Sequence, residues 1–151
     1  MVVDLILIII HTVAGTVWIG SVAFMTVAVL PTAATGDIDA TPLERIVGRL
    51  MTLSRSGTVL TILTGGYLAG TTYTTETLIN TVDGNLVLTA LLMWLILAVS
   101  VEIGRRRLVS GLRAKRVRAP VAASRRSFQI ATGVSMLLLV NIGLLTANTV
   151  I

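Results

Sequence analysis

The chain is predicted to be all-α, an integral membrane four-helix bundle that runs up-down-up-down with its N- and C-termini outside the cell. Three observations predict this. Of the 151 residues 54% are hydrophobic and only 13% charged, with a mean hydropathy of +0.92, outside the range of a soluble globular domain. Four apolar segments, about 4–30, 56–73, 85–103 and 128–150, are each long enough to cross a hydrocarbon core that takes roughly 20 helical residues. All 12 Lys and Arg residues lie on two of the three connections, 31–55 and 104–127, and the positive-inside rule makes those connections cytoplasmic.

The first segment, LILIIIHTVAGTVWIGSVAFMTVAVL, has no basic residue ahead of it and is too long for a cleavable signal, so it is expected to stay as the first span of a multi-pass cell-membrane protein. After Pro31 the stretch ATPLERIVGRLMTL predicts a short amphipathic helix at the membrane surface. It is entered through Thr41, with Pro42 at its first position and Glu44 in its first turn. The second span is the shortest and richest in threonine, and its Gly66 and Gly70 form a GxxxG pair suited to close helix packing or to a homodimer. Gly15, Gly20, Gly133 and Gly143 mark further thin places. The next connection, 74–84, carries Glu76 and Asp83 without a positive charge, and Asp83-Gly84 signals a turn. The connection 104–127 is strongly basic and lacks acids. It either sets topology alone or also binds anionic lipid headgroups. This distribution accounts for the net charge of +5, and nucleic acid is not an expected partner. Cysteine is absent, which excludes disulfides, iron–sulfur clusters and thiolate metal sites.

Polar residues inside the spans are the candidate site, because a polar group in the bilayer is costly. His11 is the only histidine, and a neutral imidazole is the commonest protein ligand to a metal. The helical stripe through it continues to Gly15, Trp18, Ser21 and Met25. A glycine one turn away would leave room for a flat macrocycle, with Trp18 along its edge. The alternative is a packing histidine hydrogen-bonded to Asn141 on the fourth span. Met25 is about 21 Å from His11 along the helix and cannot share a metal with it. Met136 is the one methionine to consider as a second axial ligand. Glu102 at the cytoplasmic end of the third span is expected to be neutralised by Arg105, Arg106 and Arg107. Asn141 and Asn148 are expected to face the bundle, and Tyr67 and Tyr73 suit an interfacial anchor or a bundle hydrogen bond.

The segment HTVAGTVWIGSVAFMTVAVLP resembles the opening helix of copper-resistance D (CopD) domain proteins and of the related HemJ-type protoporphyrinogen oxidases. These begin with a histidine, then a Trp-[FIL]-Gly step and a proline at the helix end. Those positions here are His11, Trp18, Gly20 and Pro31. Arg49 and Arg55 ahead of the second span, Gly65 and Gly66 within it, and the Arg-rich third connection match the family's layout. The resemblance implies that His11 is an axial ligand of haem b, in a protein with a redox or metal-linked role. The oxidase branch has a second histidine near the end of the third span, where this chain reads AVSVEIGRRRL with Glu102 close to the expected place. Haem would then be five-coordinate, use Met136, or be shared by two copies of His11 in a homodimer. That departure argues against the oxidase activity, and one imidazole with scattered methionines makes a poor copper path. A non-catalytic membrane scaffold or accessory subunit, and a copper or small-solute transporter, are the alternative functions.

Overall fold

The computed structural model describes residues 2–150, and no strand occurs among them. The first rod begins as α1 (Val2–Phe24) and passes through a five-residue π-helical turn, Met25–Val29, into α2 (Leu30–Thr35). The helix therefore does not stop at Pro31. Leu30 donates its N–H to the Met25 carbonyl, five residues back, so the wider turn re-routes the ladder just where Pro31 brings no donor. The rod ends at Gly36, whose φ of 95° is the left-handed conformation that glycine adopts without a Cβ penalty.

The expected surface helix and second span are one continuous helix, α3 (Ala40–Thr72), preceded by Asp39 in extended conformation. Pro42 lies within its first turn, where a missing N–H costs nothing. At the far end, the short α4 (Thr75–Asn80) starts with a reciprocal capping box between Thr74 and Thr77. Then Thr81 caps α5 (Val82–Arg113) by accepting from the Gly84 N–H at 3.1 Å. Asp83 and Gly84 are thus the first turn of a helix and not a turn between helices, because Thr81 supplies the cap. The basic third connection is likewise mostly helical. Lys115 takes the left-handed position (φ 54°), and the Lys115 and Arg116 N–H groups return to Leu112 and Gly111. After this Schellman closure α6 (Arg118–Val150) begins.

Helix α1 packs on α3 and α5 packs on α6. The two pairs meet through α3 and α5, and through the end of the first rod against α6. Among the described residues three helices are long and apolar enough to cross a membrane, Val2–Thr35, Val82–Arg113 and Arg118–Asn148. Helix α3 is not among them, and beyond Met51 its buried positions are Ser54, Gly57, Thr61 and Thr64. The deeply buried side chains, among them Trp18, Met25, Leu43, Leu97, Leu108 and Phe128, concentrate in the half of the molecule that carries the basic residues. By contrast, the first three turns of α1 expose Val2, Leu5, Ile6, Ile9 and their neighbours.

The small residues that bring helices together are not those of the GxxxG pair. A Cβ on Gly66, Gly70, Gly20, Gly133 or Gly143 would meet nothing within 4 Å. Close approach occurs at Gly57 and Gly65 on α3 and at Gly104 and Gly111 on α5. Gly66 lies about 100° around the helix from Gly65, where no described residue of another helix comes within 4 Å of an added Cβ.

Candidate functional site

Helix α3 is the polar spine of the molecule. Its hydroxyls at Thr58, Thr61 and Thr64 donate to the carbonyls of Ser54, Gly57 and Leu60, at 2.8, 2.7 and 2.6 Å. Each of these side chains therefore has its proton engaged and presents oxygen lone pairs sideways. A helix that would otherwise expose hydroxyls to hydrocarbon satisfies them internally.

Onto this spine the neighbouring helices lay three aromatic rings. Trp18 of α1 is 1% exposed and donates from Nε1 to Ser54 Oγ at 2.8 Å. Its Cβ lies only 2.7 Å from where a Cβ on Gly57 would stand, so glycine is what lets the indole approach. Two turns outward His11 repeats the pattern. Its Nδ1 is 2.9 Å from Thr64 Oγ1, and its Cε1 lies 2.7 Å from a Cβ placed on Gly65. From α5, Trp94 donates its Nε1 to Thr61 Oγ1 at 3.0 Å and meets Trp18 edge to face, with ring centroids 6.3 Å apart and planes at 67°.

The Thr64 hydroxyl lies 2.6 Å from the Leu60 carbonyl and 2.9 Å from His11 Nδ1. With the hydroxyl proton on Leu60, Thr64 accepts and His11 Nδ1 carries the ring hydrogen. In that tautomer Nε2 keeps its lone pair, the state in which an imidazole ligates a metal while its other nitrogen is held by an oxygen. His11 is half-buried.

Other residues singled out in the sequence are placed elsewhere. The face beside Gly15 is occupied by the Thr61 methyl, 3.7 Å from where a Cβ would be, and Trp18 is packed into the core, not along the rim of an opening. Met136 is 45% exposed on α6. Asn141 is buried, and its Oδ1 has no hydrogen-bond partner among the described residues, while the partner of His11 is Thr64. Asn148 is exposed and donates to Asp83, tying the end of α6 to the start of α5. Tyr67 is exposed. Glu102 accepts from Arg105 Nε at 2.8 Å and from Arg106 Nε at 2.9 Å on the same helix. Ser54, Thr61, Thr64 and Trp94 carry the network without having been candidates. For the hydroxyl residues the signal is the 54, 58, 61, 64 spacing, one face of a helix, and Trp94 carries no such signal.

As a donor set this suits one axial position of a haem and no more. His11 offers a single imidazole nitrogen, and no group of three His, Cys, Asp or Glu side chains that could hold a metal occurs among the described residues. The space next to Gly15 does not fit a macrocycle within this chain, since Thr61 fills it. A copper site of soft or multiple nitrogen donors is not supplied by these residues.

A family model described as Copper resistance protein D matches residues 44–145, from the second turn of α3 to the last third of α6. No curated protein and no solved structure matches the chain. With well over half its length matched and three helices able to cross a bilayer, the chain belongs to the copper resistance protein D family of multi-pass membrane proteins.

Proposed function

We propose that this CopD-family protein has a redox or metal-linked role in the cell membrane and holds haem b through Nε2 of His11. The observation that carries the reading is the Thr64 contact at His11 Nδ1, which in the Nδ1–H tautomer leaves Nε2 as the lone-pair nitrogen. Bound there, haem b would supply one-electron transfer. The chain's own part is to orient the imidazole through Thr64 and to seat it against Gly65. A second copy of the chain, docked on the open Gly66–Gly70 face, would bring its own His11 to the same group. The test is an oxidised-minus-reduced absorption spectrum of detergent-purified protein expressed with ample haem, beside His11→Ala. A Soret band in the wild type that disappears in the variant is expected, and a featureless wild-type spectrum overturns the reading. A non-catalytic scaffold is the second reading, favoured by the close seat of the ring on Gly65. Copper binding by equilibrium dialysis would instead favour a copper carrier.

In this proposal all four long helices cross the bilayer in an up-down-up-down bundle, with the basic end in the cytoplasm and both termini outside. Support comes from the position of every Lys and Arg at one end and from the internal satisfaction of the α3 hydroxyls. The chain lacks cysteine, which makes labelling simple. A cysteine placed at Glu76 is expected to react with a membrane-impermeant maleimide in intact cells, and one placed at Lys115 only after lysis. The reverse pattern overturns the orientation.

A further inference from the structure

Along one face of α3 two concavities line up. The first, about 370 Å³, runs between α1 and α3 and is lined almost wholly by apolar side chains, including Ile10, Val13, Val17, Leu53 and Leu60. The second, about 340 Å³, lies further toward the cytoplasmic end and is formed by Thr41, Pro42, Arg45, Ile46 and Arg49. Residues 42, 45, 49, 53, 56 and 60 recur every three or four positions, so the basic concavity opens onto the same stripe as the apolar groove. Arg45 and Arg49 are exposed and have no hydrogen bond or ion pair among the described residues, whereas Arg105 and Arg106 are engaged by Glu102. No acidic residue lies on that stripe.

We propose that this face is a binding site for one anionic phospholipid, with the phosphate held between Arg45 and Arg49 and an acyl chain lying in the α1–α3 groove. Charge and length both fit that occupant. Two uncompensated guanidinium groups one helical turn apart suit a phosphodiester. From Arg49 to Leu60 the helix rises about 16 Å, a length that an acyl chain of one leaflet can follow, while the exposed Arg55 lies at this depth on another face of α3. Ser56, midway along, is the one polar side chain lining the apolar part. The orientation proposed above decides only which leaflet supplies the lipid. The site itself is independent of it and of haem.

The test is native mass spectrometry of full-length protein released from nanodiscs of phosphatidylcholine with one-fifth phosphatidylglycerol, scoring the lipid that stays bound. Wild type is expected to retain one phosphatidylglycerol in preference to phosphatidylcholine. The Arg45→Gln/Arg49→Gln double variant is expected to lose that preference by about thirtyfold, from ~1 kcal/mol for each arginine. Val13→Trp fills the groove from an exposed position, and it is expected to release the lipid while leaving the melting temperature within a few degrees of wild type. Arg113→Gln/Lys115→Gln removes the same charge elsewhere on the basic end and is expected to change nothing. Equal retention of the two lipids by wild type, an unchanged preference in the Arg45/Arg49 variant, or an equal loss in the Arg113/Lys115 control would each overturn the site.

Discussion

Trp18→Ala is expected to destabilise the protein by about 3 kcal/mol, the low end of the range for emptying a large buried side chain. In lipid the transfer part of that cost is absent, because a hydrocarbon chain is as apolar as the core, but the packing part remains. Trp18 lies between Gly57, Ser54 and the edge of Trp94, so its removal opens a void where α1, α3 and α5 converge. Its loss also strands an oxygen of Ser54 that had the indole as donor. Thermal unfolding in detergent is the measurement. Trp18→Phe should recover most of the loss, since it restores ring packing and forfeits only the hydrogen bond. A cycle with Ser54→Ala isolates that bond, expected at about 0.6–1.7 kcal/mol by analogy with interhelical bonds in membrane bundles. If Trp18→Ala melts with wild type, the α1–α3 contact is not what holds the first helix.

The same contact shows how far the sequence could be read. Helix class and membrane residence follow from apolar runs that exceed a bilayer's thickness, and the Glu102–Arg105 pairing follows from i, i+3 spacing on one helix. Helix ends were less legible. Polar and basic residues after a span look like a loop, yet α5 runs on to Arg113 and α6 begins at Arg118, because arginine is a good helix former once the chain has left the lipid. Pro31 looked like a stop because its missing donor breaks an α ladder, and a π turn absorbs that break without ending the rod. At the site, His11 and Trp18 stood out by rarity, but their partners are ordinary threonines, serines and glycines whose importance depends on which face of α3 meets α1. Spacing alone does not give that face. Gly57 and Gly66 are equally good small residues in a sequence, and only packing distinguishes the buried one from the open one.

That distinction makes the second prediction. Gly111→Ala is expected to destabilise the chain by about 2 kcal/mol, the middle of the range for overpacking, although the same change in an open helix would stabilise it by about 1 kcal/mol through helix propensity. The methyl would overlap the ring carbons of Pro120 on α6. A proline ring is tied to its own backbone and cannot rotate aside. The backbone cannot yield cheaply either, since Gly111 accepts the Arg116 N–H that closes the α5–α6 turn around Lys115. Separation of the two helices would also loosen Gly104 from Phe128, two turns further along the same interface. Gly133→Ala is the matched control, with nothing within 4 Å of the new methyl, and it is expected to be neutral or up to about 1 kcal/mol stabilising. The suppressor is Pro120→Gly, which removes the obstructing ring. The double variant Gly111→Ala/Pro120→Gly should melt above Gly111→Ala alone. If the single variant stabilises the protein and Pro120→Gly adds nothing, the α5–α6 hairpin is not closed by this contact.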